Sequence, residues 1–425
     1  MSDFENHDIA KQRAQQRAER DAQKKAGVAL KTFSRSINSE LTDDEISAIT
    51  NNIIKVSEVK IVPVPFEAEG EAGLMYRATL KATIDTNGIY AWIKRDDKEK
   101  VTILNQNKEL QDAIAKNDKR VEDLKEKYNR ATSQAEKNEI REQMTDADRK
   151  FLANQKFEEG NKHYYAKDYE GAIKLYNETI QLNPNDDYAY NNRGLSYSEL
   201  KQHEQAVQDY NKAIQLNINN VGAYGNRGNA YQCLRQYERA IQDYNKAIQL
   251  NPNEYKAYNN RGVAYNDLGQ HERAIQDYDK AIQLNPNDDM AYYNRGRAYY
   301  DLKQYEHAIQ NYNKVIQLNP NYAKAYHARG NSYMNGLKQY ELAIQDINKA
   351  IQLNPNYARA YGSRGALYYY QKLYEMAIIE ATKAIQLDPN LELAYRLRGI
   401  CYQKLGEEAK AQADFAKAKE LQKKG

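Results

Sequence analysis

Arginine recurs at a regular spacing through the C-terminal two thirds of the chain, each time directly before a glycine. The series is Arg193, Arg227, Arg261, Arg295, Arg329, Arg364 and Arg398. An acid or amide follows each arginine at a nearly constant distance, at Asp209, Asp243, Asp277, Asn311, Asp346, Glu380 and Asp414. A row of guanidinium groups can bind phosphate or nucleic acid, but a matched partner for every arginine favours charge-assisted hydrogen bonds between helices. The residues for which we predict this structural role are Arg193, Arg227, Arg261, Arg295, Asp209, Asp243 and Asp277.

The other side chains that support catalysis form no recognisable constellation. The chain has no Gly-Lys-Ser/Thr motif of the kind that binds phosphate. Its six histidines form no pair with the spacing of metal ligands. Cys233 and Cys401 lie five units apart in the internal repeat described below, which argues against a disulfide. We predict a protein that is not an enzyme and that holds no cofactor and no metal.

Composition limits the classes of partner. The 425 residues include 62 basic and 59 acidic side chains, and a net charge of +3 is too small to predict nucleic acid or an anionic membrane as the partner. No apolar run approaches the ~20 residues of an integral membrane span. The N-terminus has no apolar core, so it is no signal peptide, which favours a cytoplasmic location.

An internal repeat organises the chain after about residue 151. Its most regular mark is a glycine, at Gly160, Gly194, Gly228, Gly262, Gly296, Gly330, Gly365 and Gly399. The gap is 34 residues (160 to 194) except for one of 35 (330 to 365). Within each repeat the apolar residues follow helical spacing twice, and Asn-Pro ends most second runs. The pattern predicts eight hairpins, each made of a first and a second helix.

This pattern resembles the tetratricopeptide repeat. The residues that carry the resemblance in one repeat are Tyr258, Gly262, Tyr265, Ala274, Tyr278, Ala281 and Pro286. The match covers residues 153–425, with departures in the end repeats such as Lys156 and Lys423. The resemblance implies an α-solenoid superhelix that binds proteins.

The resemblance also implies a concave groove lined by the first helices, and Asn and Tyr dominate its positions here. An asparagine both donates to and accepts from a peptide backbone, while rings cover its side chains. We expect aromatic platforms of Phe157 with Tyr164 and of Tyr293 with Tyr300. The family's carboxylate clamp is not expected, because Gly225 stands where it needs lysine. The predicted peptide-binding residues are Phe157, Asn161, Tyr164, Asn191, Asn229, Asn259, Asn266, Tyr293, Arg297, Tyr300, Asn331, Tyr369 and Arg396.

Two further regions precede the array. Residues 1–95 predict a small α/β domain, with one or two helices on a short antiparallel sheet. This part resembles a small module of exported bacterial lipoproteins and flagellar-assembly proteins, which implies a cell-envelope or periplasmic location if the chain derives from a longer exported precursor. Residues 96–150 predict a charged helical connector.

A heptad-like spacing of apolar residues runs through the connector. The residues are Leu110, Ile114, Val121, Leu124, Tyr128, Ala131 and Ala135. Three interpretations stay open: a long helix folded back on itself or on the first repeats, an intermolecular coiled coil, and a frayed linker helix.

We therefore expect a mainly α-helical protein, an α-solenoid of tetratricopeptide hairpins behind a helical connector and an α/β domain. The expected function is a non-catalytic scaffold that binds a protein or extended peptide of unknown identity in its groove. The alternative is a structural protein of the bacterial cell envelope that forms homo-oligomers through its N-terminal domain and connector. Neither reading involves nucleic acid.

Overall fold

The computed structural model describes residues 12–15, 18, 54–68, 71–84, 112, 115–116, 119–124, 126–127 and 130–423. These residues are mostly helical, as expected for a repeat solenoid. Contacts divide the chain into two compact units, Met1–Gln202 and His203–Gly425. The helices predicted for residues 1–49 lie outside the described residues, except for 12–15 and 18.

The described part of the N-terminal region includes one antiparallel β-hairpin. Strand β1 spans Ile54–Ala68 and β2 spans Glu71–Ile84. Their register runs from Ile54 opposite Ile84 to Ala68 opposite Glu71, with a bulge between Val56 and Glu58. The β-rich runs in the sequence therefore pair as neighbours, as their alternation and the Gly-rich turn predict.

The connector turns back on itself before the array begins. Val121, Leu124 and Ala131 are buried, and the last two share an apolar cluster with Ile140. The chain leaves helical geometry at 131–133, and Ser133 Oγ accepts a hydrogen bond from the Glu136 amide at 3.2 Å to cap the next helix. This arrangement matches a helix folded back on itself; Leu110, Ile114 and Tyr128 lie outside the described residues.

The first unit contains the first three helices of the array. They are α1 Gln134–Tyr165, α2 Tyr169–Leu182 and α3 Asp187–Glu199. Helix α1 is continuous through Lys150, so the connector and the first repeat share one helix.

The second unit continues the same alternation of first and second helices. The second helices end at Asn or Asp before proline in most repeats, because proline cannot continue a helix. The bounds are α4 His203–Leu216, α5 Val221–Cys233, α6 Tyr237–Leu250, α7 Tyr255–Asp267, α8 His271–Leu284, α9 Asp289–Asp301, α10 Tyr305–Leu318, α11 Ala323–Ser332, α12 Tyr340–Leu353, α13 Ala358–Tyr370, α14 Tyr374–Leu387, α15 Glu392–Lys404 and α16 Glu408–Gln422.

The one repeat with an extra residue accommodates it in a π-helical segment, Tyr333–Leu337, at the end of α11. A π turn holds one more residue than an α turn, so the insertion is absorbed without breaking the helix. Lys338 follows with φ 53°, in the left-handed region. The turn between the two helices of other repeats also needs this conformation, which Gly269 supplies in the fourth repeat and Lys303 in the fifth.

In the first, third, fourth and fifth hairpins a tyrosine of the second helix packs under the glycine of the first helix, and Ile347 and Phe415 take its place in the sixth and eighth. Tyr244, Tyr278 and Tyr312 are at most 1% exposed. A Cβ atom built on Gly262 would lie 2.7 Å from Tyr278 Cε1. Glycine is therefore required here for close approach of the ring to the helix backbone.

Candidate functional site

Each arginine of the series joins three helices in the second unit. Arg261 on α7 donates from Nε and Nη2 to both carboxylate oxygens of Asp277 on α8, at 2.7 and 2.5 Å. Its Nη1 donates to Asn245 Oδ1 on α6, the second helix of the preceding repeat, at 2.6 Å. Its guanidinium lies 5.5 Å from the ring centre of Tyr258 on its own helix. We call this arrangement the arginine bridge; it sets the rotation of neighbouring helices and leaves little of Arg261 for a ligand.

The arginine bridge recurs with small changes. Arg227 binds Asp243 through both oxygens, at 2.8 and 2.6 Å, and Asn211 at 2.6 Å. Arg193 donates to Asn177 within the first unit, and Asp209 is buried in the second. The remaining arginines of the second unit, Arg295, Arg329, Arg364 and Arg398, each contact both flanking second helices.

Arg295 shows how the carboxylate can change place. The residue of its own second helix is Asn311, which accepts from Nε at 2.8 Å. The preceding second helix supplies Asp279 in place of the usual asparagine, and Asp279 pairs with the same guanidinium. The arginine therefore keeps one anionic partner although the acid has moved to a different helix.

Asparagines predicted to bind peptide largely join one first helix to the next. Asn229 Oδ1 accepts from Tyr244 Oη at 2.8 Å and from Asn260 Nδ2 at 2.9 Å. Asn259 Oδ1 accepts from Asn294 Nδ2 at 3.1 Å. These bonds place α5, α7 and α9 side by side, so the outward side chains of the first helices form one surface, which we call the first-helix face.

The other predicted asparagines are also engaged. Asn161 accepts from Tyr176 Oη at 2.8 Å, and Asn191 donates to Asn192, all buried in the first unit. Asn266 Nδ2 contacts Asp301 at 3.4 Å and its Oδ1 lies 2.9 Å from His271 Nδ1. Asn331 Nδ2 lies 3.2 Å from His327 Nε2. Fewer amide groups are thus available to a peptide backbone than residue type alone suggests.

The aromatic residues divide into core and surface. Phe157 is 4% exposed and packs on Tyr176 at 5.7 Å between ring centres, so it belongs to the core of the first hairpin. Tyr164 is half-buried and its ring contacts Tyr165 and Tyr169. The predicted platform of Phe157 with Tyr164 therefore does not form a ligand surface, because Phe157 is buried.

The second predicted platform, Tyr293 with Tyr300, is held by different neighbours. Tyr293 contacts Tyr322 edge-on at 5.3 Å, and Tyr300 contacts Tyr305 at 5.4 Å and accepts from Asn335 Nδ2 at 2.6 Å. Both tyrosines remain half-buried. Tyr369, on α13, contacts Tyr370 and Tyr374.

The two predicted groove arginines differ in their pairing. Arg396 lies 3.8 Å from Glu392 on its own helix. Arg297 on α9 is exposed and makes no ion pair or hydrogen bond in the part of the chain that the structure describes. Arg359, near the start of α13, has the same character and was not among the predicted residues. It lies six residues before the repeat glycine Gly365, where Lys256 and Lys324 stand in two other repeats, so a basic residue recurring at this position was the sequence signal for it.

His327 on α11 is buried and surrounded by polar partners from α11, α13 and the residue before α13. Its Nδ1 is 3.0 Å from Tyr357 Oη and its Nε2 is 2.9 Å from Ser363 Oγ. Burial, followed by the positive charge of Arg359, lowers the pKa of His327 to about 4. The imidazole is therefore neutral at pH 7.

The lowered pKa of His327 predicts that the repeat array loses stability in acid. The unfolded chain binds a proton near pH 6.5 and the folded chain only near pH 4, so His327 stabilises the fold above pH 6.5 and this contribution is lost as pH falls. When the pH falls from 7 to 5.5, we expect the free energy of unfolding of the wild type to decrease by about 1 kcal/mol more than that of His327→Asn. Asparagine is the residue at this position in two other repeats. Urea midpoints at both pH values measure it. The exposed His307→Asn serves as the control, and parallel pH curves for wild type and His327→Asn would contradict the prediction.

Within the described ranges, no three histidine, cysteine or acidic side chains form a group able to hold a metal ion. No helix of that part of the chain combines the length and the apolar composition that a membrane span requires.

Comparison with protein families identifies the repeats. Tetratricopeptide-repeat models match residues 188–220, 221–254 and 255–288, and others match 277–310, 323–357 and 358–391. A further TPR-repeat model matches residues 160–201 and 296–336. Together the matches cover residues 160–391 without a gap. No curated protein matches the sequence as a whole.

Solved structures include many similar chains. A tetratricopeptide repeat protein from Parabacteroides merdae is 22% identical, with TM-score 0.50 over 59% of this chain and 98% of that protein. MamA from Desulfovibrio magneticus RS-1 is 27% identical, with TM-score 0.36 over 40% of this chain and 96% of its own. YrrB, a TPR protein with an unusual peptide-binding site, is 24% identical, with TM-score 0.38 over 45% and 98%.

The arginine bridges, the packing around the repeat glycines and the family matches over residues 160–391 agree on the same helical hairpins. They form a repeat scaffold of the type that mediates protein–protein interaction. The chain belongs to the tetratricopeptide repeat family.

Proposed function

We propose that the protein is a non-catalytic scaffold that binds an extended peptide segment of a partner protein on its first-helix face. The observation that carries the proposal is the side-by-side arrangement of α5, α7 and α9, joined by Asn260–Asn229 and Asn294–Asn259 hydrogen bonds. Joined helices present one continuous row of side chains, which suits a chain that runs across several repeats.

The residues assigned to peptide contact take no part in the arginine bridges and are half-buried or exposed on this face. They are Tyr293, Arg297 and Tyr300, all on α9. Tyrosine supplies a large contact area together with a hydroxyl, and it loses little conformational entropy on binding. The predicted asparagines act behind these residues by holding the helices in register.

A random 16-residue peptide library tests the proposal on the full-length chain. Peptides selected on the wild type are expected to lose at least about tenfold in affinity with Tyr293→Ala plus Tyr300→Ala, because each ring forms part of the contact. Fluorescence anisotropy measures the affinity.

The matched control removes one half-buried ring from a second helix, with Tyr237→Ala on α6. If the α9 variant unfolds at the assay temperature, Tyr293→Phe plus Tyr300→Phe replaces it and tests the hydroxyls alone. Selected peptides that bind the α9 double variant as tightly as the wild type would contradict a site on this face.

The N-terminal region favours self-association as a second candidate function. An isolated two-stranded hairpin is marginal in water, so β1 and β2 need a cover from residues 1–95 or from another copy of the chain. Light scattering of the full-length chain across a hundredfold concentration range is the test of self-association, and a monomer throughout removes this function.

We propose the predicted boundaries, 1–95, 96–150 and 151–425, as the domain organisation.

A further inference from the structure

We propose that the first-helix face of the fifth to seventh repeats binds an acidic peptide, with Arg297 and Arg359 receiving its carboxylates beside the hydroxyls of Tyr293, Tyr322 and Tyr357. This inference rests on the proposed function and specifies its ligand. The three tyrosines are called the tyrosine cluster below.

The tyrosine cluster spans three consecutive first helices. Tyr293 lies on α9, Tyr322 precedes α11 and Tyr357 precedes α13. Tyr293 and Tyr322 are in edge contact at 5.3 Å. Tyr357 packs on His327 at 4.9 Å between ring centres. Since His327 also bonds to Ser363 on α13, the helices that carry the cluster are fixed relative to one another.

The positive charges of Arg297 and Arg359 both affect the pKa values of the tyrosine cluster. Burial raises the pKa of Tyr293, and the positive charges of Arg297 and Arg359 both oppose that rise. Arg297 has the same effect on Tyr322 and Arg359 on Tyr357, where burial prevails and raises each pKa to about 12. The phenols are therefore neutral at pH 7. Tyr357 Oη lies 3.0 Å from His327 Nδ1 and Tyr322 Oη donates to Met290 Sδ at 3.5 Å, so Tyr293 is the member of the cluster whose hydroxyl we expect to donate toward an anion.

The charge balance here differs from that of the arginine bridges. Every bridge arginine described in the second unit has an acid within its own array, as Arg261 has Asp277. Neither Arg297 nor Arg359 has such a partner among the described residues. The acid that acts on Tyr322, Asp289, already accepts from Asn319 Nδ2 at 3.1 Å. Arg297 and Arg359 are thus exposed and outside any ion pair among the described residues, although Asp289 and Asp301 act on some of the same tyrosines as Arg297.

A peptide carboxylate complements this arrangement. A guanidinium presents two parallel N–H groups that match the two oxygens of a carboxylate. The rings of the tyrosine cluster offer apolar surface for the side chains beside the acid. A peptide is favoured over nucleic acid, because the chain as a whole carries a net charge of only +3.

Two steps on the full-length chain test the inference. Peptides are first selected from a random 16-residue display library, on the wild type and on Arg297→Gln plus Arg359→Gln. We expect enrichment of Asp and Glu only on the wild type. One selected peptide is then synthesised with its acids and with the matching amides, and anisotropy measures its affinity. Changing either the acids or the two arginines is expected to weaken binding by about ten- to a hundredfold.

Coupling between the two changes is the decisive readout. When the arginines are already glutamine, amidating the peptide should cause little further loss. The control is Arg273→Gln, an exposed arginine on the second helix α8, which lies outside the predicted groove and should leave affinity unchanged. Lack of acidic enrichment, or equal loss on amidation with and without the arginines, overturns the inference.

The proposed function and this inference fail in distinguishable ways. If neutral peptides are selected and depend on Tyr293 and Tyr300 but not on the arginines, the groove stands and its acidic specificity is wrong. If no peptide is selected at all, both fail.

Discussion

Replacing Gly262 by alanine is expected to lower the free energy of unfolding by about 2 kcal/mol, although alanine is the better helix former. The new Cβ would lie 2.7, 3.0 and 3.1 Å from Cε1, Cδ1 and Cζ of Tyr278. That ring is 1% exposed and cannot move aside without disturbing its own neighbours. Overpacking therefore outweighs the ~1 kcal/mol of helix propensity that alanine gains over glycine.

Gly225 provides a control in the preceding repeat. It also lies inside a first helix, but a Cβ there meets nothing within 4 Å. Gly225→Ala is expected to raise stability by about 0.5–1 kcal/mol. Urea unfolding of the full-length chain measures both, with hydrogen exchange locating the change, because repeat arrays can unfold in parts. The two substitutions moving stability in the same direction would contradict the packing argument.

The repeat architecture was predictable because its residue requirements are local and periodic. A glycine recurs at the position of Gly262 in all eight repeats and a tyrosine at the position of Tyr278 in five of them, and close packing permits few other residues at the glycine. Even the repeat with an extra residue was located, although the sequence did not show that a π-helical segment would absorb it.

The candidate site was less predictable, because residue type does not reveal whether a polar group already has a partner. Asn229 and Asn259 have the side chains that a peptide site needs, yet their oxygens accept bonds from Asn260 and Asn294 of the array. These bonds join residues more than 30 positions apart, so no local sequence pattern predicts them. Conversely, Arg359 joins the cluster around Tyr293 only through the stacking of repeats.

The arginine bridge was recognisable as a pair, but its third partner was not. The acid that follows Arg261 was visible as a matched series, whereas the asparagine of the preceding repeat was not linked to it. At Arg295 the negative charge is on Asp279 of the preceding second helix, and Asn311 of its own second helix is neutral. Either acceptor position can therefore carry the carboxylate. That observation suggests an experiment on the neighbouring bridge.

Asp277→Ala is expected to lower the free energy of unfolding by about 2–3 kcal/mol, because it leaves the Arg261 guanidinium without its anion. The Arg261 side chain is 19% exposed, so water screens part of the loss that full burial would cause. Glu272→Gln, an exposed change on the same helix, controls for the loss of one negative charge. A loss no larger than that of the control would contradict a stabilising bridge.

Moving the carboxylate should rescue the bridge. Asp277→Asn alone is expected to lower stability by about 1–2 kcal/mol, since an amide still accepts one bond from Arg261 but carries no charge. Adding Asn245→Asp rebuilds the arrangement of Arg295, with the acid on the preceding second helix, and should restore most of the loss. Asn245→Asp in the wild-type background places two acids on one guanidinium and should stabilise far less. A double variant no more stable than Asp277→Asn would mean that the bridge depends on the position of the acid and not only on its charge.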